Sequence, residues 1–165
     1  MKQTPLHGDP ERTTPLGVAR YTSDFLEAAH AAYKERSGTW PGPHVASVPV
    51  MFLIGQSIEL SLKAYLLHKG ATLVEIRSRE FGHNLGSCYA KAKELGLTSL
   101  IELQDTEESG MESLDELYSS KQLQYIVTGA KTFPDYEVIN AVASKLLIAV
   151  ATQVGLRIQP PKNAA

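Results

Sequence analysis

The chain has one cysteine, one tryptophan, no long unbroken apolar run and almost no excess charge. A lone Cys88 cannot close an internal disulfide, which excludes a disulfide-stapled scaffold. The longest apolar run, residues 48–54, has a proline inside it and is soon interrupted by Gln56 and Glu59. That is far short of the roughly 20 residues a membrane span needs. The opening residues MKQTPLHGDPERTTP carry no apolar stretch of the kind a secretory signal requires. Together these absences predict a soluble cytoplasmic protein with no membrane partner. A net charge of −2, from 16 basic and 18 acidic residues, argues against a surface coated for nonspecific nucleic-acid binding.

Chemical motifs are sparse as well. No glycine-rich phosphate loop and no GxSxG nucleophile elbow is present. With a single cysteine and scattered histidines (His7, His30, His44, His68, His83) there is no zinc-ligand spacing, so neither a metal nor a cofactor is expected. No fixed-period repeat appears, and no segment alternates as a strand would.

What is present is helical periodicity. The 165 residues, 43% of them hydrophobic, suit one core and one domain, expected over residues 14–156 between flexible tails at 1–13 and 157–165. Thr14 with Pro15 starts a first helix running to about Arg36, with Val18, Phe25, Leu26, Ala29 and Tyr33 as its apolar stripe. The breaker cluster SGTWPGP forces a loop. A second helix begins near Ser47, is apolar almost all round in its first half, and ends at Lys69 with Gly70 as its left-handed cap, so it reads as central. A short helical piece follows from Thr72, then a third main helix opens at His83 and stops at Gly96. Ser99 with Glu102 and Ser113 with Glu116 have capping-box spacing, predicting short helices in this segment, and residues 121–127 could form another. Asp135 caps a last helix to Val154. The fold class predicted is all-α, an up-and-down bundle of about five main helices.

Charge is unevenly distributed. Lys63, Lys69, Arg77, Arg79, Lys91 and Lys93 face only three acids between positions 63 and 94, whereas residues 101–118 hold seven acids and no base. This predicts either two solvated faces of opposite sign or a basic site with an acidic flank. Gln56, Glu59 and Lys63 fall on one face of the greasy second helix, where they make either a surface ion pair or the lining of a polar cleft. His83, at or beside the N-cap of the third helix, sits where free backbone N–H groups and the helix dipole attract anions. With the guanidinium groups of Arg77 and Arg79 just before it, His83 could complete a phosphate-binding corner. Cys88 lies beside an apolar stripe and reads as an inert small hydrophobe.

The segment QSIELSLKAYLLHKG, with GHNLGSCYAKAKEL after it, resembles the HEPN family (higher eukaryotes and prokaryotes nucleotide-binding). The likeness rests on Gln56, Glu59, Leu62, Lys63, Ala64 and Gly70, on Gly82, His83, Asn84 and Leu85, and on a fainter echo at Lys131, Phe133 and Pro134. The resemblance implies a helical bundle, commonly a homodimer, that handles nucleotide, RNA or a protein partner such as an antitoxin. Ribonuclease members of toxin type pair an arginine with a histidine four to six residues on, without metal, and Arg77 with His83 has that loose spacing. Nuclease members often carry the pair in a later helix, and no histidine follows His83 here. The expectation is therefore a noncatalytic binding module, with Arg79, Asn84, Glu59, Lys63 and Gln56 as ligand-binding residues. The alternatives are a metal-independent ribonuclease using His83 and Arg77, and a structural helical domain unrelated to the family. The broad apolar faces of the second and last helices predict a homodimer.

Overall fold

The structure, a computed structural model, describes residues 9, 12–36, 46–125 and 127–158. The loop bearing Trp40 and His44, His7, and nearly all of both expected tails lie outside the described residues. The chain is an all-α helical bundle: α1 (Pro15–Arg36), α2 (Val48–His68), α3 (Leu73–Ile76), α4 (Leu85–Glu94), α5 (Asp105–Ser119) and α6 (Tyr136–Val154), with a 3₁₀ turn at Leu97–Ser99. Five of the six are main helices, and no strand occurs among the described residues.

Several helix ends have a local cause. Thr14 Oγ1 accepts the Gly17 N–H at 3.0 Å to open α1, and Asp135 Oδ1 accepts the Glu137 N–H at 2.8 Å to open α6. At the end of α2, Gly70 takes a φ of 98°, which lets the Gly70 and Ala71 N–H groups close back on the carbonyls of Leu67 and Leu66.

Helix α2 is the axis of the bundle, packed by α1, α4, α5 and α6. Val50, Met51, Ile54, Ile58, Leu62 and Tyr65 are all but sealed from solvent, each apolar side chain of this size contributing roughly 1.5–3 kcal/mol by its burial. The α1 stripe turns slightly from the expected one: Ala19, Thr22, Leu26 and Ala29 are buried, while Val18, Phe25 and Tyr33 are only partly so. Both α2 and α6 are long and apolar enough to cross a membrane, each with a mean hydropathy of 1.4 over its best window. Counting unbroken apolar runs misses this. Inside the bundle α2 buries 72% of that window and α6 only 39%, so α2 reads as a core helix.

The acidic segment departs from expectation. Ser99 and Ser113 start no helix. Ser99 ends the 3₁₀ turn, and Ser113 lies inside one continuous helix, where its hydroxyl donates to the Ser109 carbonyl at 3.0 Å. Helix α5 opens at Gln104, whose N–H donates to the Glu107 carboxylate at 2.8 Å. The apolar residues Met111, Leu114, Leu117 and Tyr118 keep one face in the core, so tertiary packing overrides the local capping signals. No helix forms at 121–125 either. Lys121 takes a φ of 61°, and the Lys121 and Gln122 N–H groups bond back to the carbonyls of Tyr118 and Leu117. That closure is normally made by glycine, and a lysine in its place hides it from a sequence reading.

Candidate functional site

Glu59, on α2, is 4% exposed and receives three hydrogen bonds. Lys63, one turn later, donates to its Oε1 at 2.5 Å. Tyr118 of α5 donates to its Oε2 at 2.5 Å, and His83 Nδ1 approaches the same oxygen at 3.1 Å. Gln56 Nε2 in turn donates to the Tyr118 hydroxyl at 2.5 Å. Lys63 makes a second bond, at 2.6 Å, to the carbonyl of Gly82 just before His83. Three elements, α2, the connection into α4, and α5, are thus tied through one carboxylate. The Glu59–Lys63 pair is neither a surface ion pair nor the wall of an open cleft. It is a buried pair, tolerated because the charges cancel and the lone pairs and protons find partners.

Gly55 makes the arrangement sterically possible. A Cβ there would stand 2.5 Å from the Tyr118 ring, so only glycine lets that ring lie against α2 and reach Glu59 one turn on. Burial first, and then the neighbouring Glu59 charge, push the Tyr118 phenol far above its ordinary value. Tyr118 therefore stays a donor. The Cys88 thiol is fully buried, donates to the Phe81 carbonyl, and is pushed up to about 12, chiefly by burial. A thiol in that state is no nucleophile.

His83 itself is 45% exposed along its side chain. Its ring meets Tyr118 edge-on at 6.2 Å between centroids, and Tyr118 in turn lies 6.0 Å from the half-buried Phe52. It is the residue before the N-cap of α4. The cap is Asn84, whose side chain accepts the Ser87 N–H at 2.7 Å. The next two amides, the ones a phosphate would need, are taken. Asp115 of α5 accepts the Leu85 N–H at 2.8 Å and the Gly86 N–H at 3.1 Å. The helix terminus that looked free in the sequence is filled by the chain's own carboxylate.

Arg77 is drawn elsewhere. It ends α3 and lines an open, mostly apolar hollow of about 440 Å³ with Pro15, Leu67, Leu73 and Val74. Leu67 lies eight residues beyond Glu59 on α2, roughly 12 Å along the helix axis at 1.5 Å per residue. Arg79 is exposed in the connection between the two places. The structure thus brings Gln56, Glu59, Lys63 and His83 together, uses Asn84 as a cap, and sends Arg77 to a separate surface. Gly55, Asp115 and Tyr118 were missed. Two of these belong to the acidic segment, where Asp115 lay under a false capping pattern, and nothing in the sequence pairs them with α2 or α4.

Among the described residues no group of three or more His, Cys, Asp or Glu side chains converges as a metal site. No protein-family model, no curated protein and no solved structure matches the chain.

Proposed function

We propose that this chain is a noncatalytic, HEPN-like helical module that binds a nucleotide, an RNA or a protein partner at the corner where His83 meets α2 and α5. One observation carries the noncatalytic part of the reading. The corner's anion-binding and charge-balancing groups are already engaged within the chain, with Asp115 on the Leu85 and Gly86 amides and Lys63 on Glu59 and Gly82. A metal-independent phosphate cleavage needs donors aimed at the charge that develops in the transition state. Arg77, the cation such a reaction would draw on here, lines the other hollow. What the corner still offers is a partly exposed imidazole held in a fixed pose, which suits recognition.

The reading places the protein in the cytoplasm, without a membrane partner. It includes a homodimer, for which α6 leaves Ile148 61% exposed beside Leu100 and Ile101. The test is incubation of wild type and His83→Ala with mixed RNA in excess EDTA on a denaturing gel. Intact RNA in both lanes is expected. Cleavage by wild type that His83→Ala abolishes would replace this reading with the toxin-type ribonuclease that uses His83 and Arg77.

A further inference from the structure

Resting on the reading of this corner as a binding site, we propose that the group it receives is a cationic hydrogen-bond donor, an arginine or lysine side chain of a protein partner, and not a phosphate. The first step concerns protons. Glu59 already accepts from Lys63 and Tyr118, and an ionised carboxylate can only accept. The contact between its Oε2 and His83 Nδ1 at 3.1 Å therefore requires the hydrogen to sit on Nδ1. A neutral imidazole with Nδ1–H carries a lone pair, and no proton, on Nε2. Nδ1 points inward to a buried carboxylate, so the exposed part of the ring is the edge that bears Nε2. Glu59 is in this sense a positioning residue: by holding the hydrogen on Nδ1 it makes Nε2 the acceptor whenever the ring is neutral.

The second step concerns sign. An anion would need donors, and the two amides nearest His83 at the start of α4 point at Asp115. Lys63 balances Glu59, and the Asp115 carboxylate occupies the positive end of α4, so the Leu85 and Gly86 amides are not open to an anion. A phosphate would meet a lone pair and a carboxylate. A guanidinium or ammonium would meet the acceptor, with the Asp115 carboxylate at the start of the same helix.

The test uses the full chain, labelled with ¹⁵N, and follows the His83 ring nitrogens while N-acetylarginine amide, inorganic phosphate and AMP are titrated separately. Expected are the Nδ1–H tautomer in the free protein, a saturable shift of Nε2 with N-acetylarginine amide that disappears in His83→Ala, and no response to phosphate. In Glu59→Gln the side-chain amide can donate to Nδ1, which moves the proton to Nε2 and should remove the arginine response. If that variant does not fold, the wild-type titrations still decide. An Nε2–H ring in the free protein, or no response to the arginine probe, overturns the inference. A response to AMP in place of the arginine probe also overturns it, but leaves the binding-module reading standing. RNA cleavage in the preceding experiment would remove that reading itself.

Discussion

At His83 the chain surrounds an imidazole with its own carboxylate, phenol and ammonium groups. At Arg77, six residues earlier in the same connection, it sets a guanidinium at the rim of an open apolar hollow. The first place is a satisfied polar cluster in which Glu59 and Lys63 are both nearly sealed from solvent. The second is surface. Two side chains that spacing alone would join as a catalytic pair meet different surroundings: Arg77, as the C-cap of α3, stays beside the Leu67 end of α2, while the connection after it carries His83 back to Glu59. Distance along a loop says little about distance in space once a capped helical turn lies next to it.

The largest effect should come from breaking the charge balance of the first place. Lys63→Met leaves the Glu59 carboxylate buried without its cation and should cost about 3–5 kcal/mol in urea unfolding. The double variant Glu59→Gln with Lys63→Met should recover most of that loss, since removing both charges avoids the uncompensated one. A single variant within 1 kcal/mol of wild type would show that the pair is solvated, and the contrast between the two places would collapse.

A middle-sized effect is expected at Asp115. Asp115→Ala leaves the Leu85 and Gly86 N–H groups without their acceptor, and losing an equivalent cap costs about 0.5–2 kcal/mol. The same variant should gain a measurable affinity for inorganic phosphate, because it frees two amides at a helix N-terminus. Stability loss without any phosphate binding would mean that the terminus is closed to anions by something other than Asp115.

Arg77→Ala should do least. An exposed side chain at the end of a four-residue helix is expected to change stability by no more than about 0.5 kcal/mol, and it should leave the His83 ring signals where they are. A shift of those signals in Arg77→Ala would reconnect the two places and revive a shared site.

Much of the fold was legible. Thr14, Asp135, Gly70 and Gly96 mark helix ends through chemistry that acts over three or four residues, and the all-round apolar character of α2 marks it as central. The polar stripe Gln56, Glu59, Lys63 and the neighbouring His83 were also visible as the place to look. The acidic segment was not, because Lys121 closes α5 with a backbone conformation that its side chain does not advertise, and because Ser113 has cap spacing in the middle of a helix whose buried face decides the matter.

By itself, then, the sequence determined the helices outside the acidic segment, the axis of the bundle and the small set of polar residues on that axis, since each depends on periodicity or on contacts close along the chain. Only the tertiary structure decided that Tyr118 and Asp115 complete the His83 corner and that Arg77 does not. Those pairings join residues 59 to 118 and 85 to 115. They exist because Gly55 lets one ring approach α2 and because packing of α5 carries a carboxylate to the start of α4, neither of which any local pattern encodes.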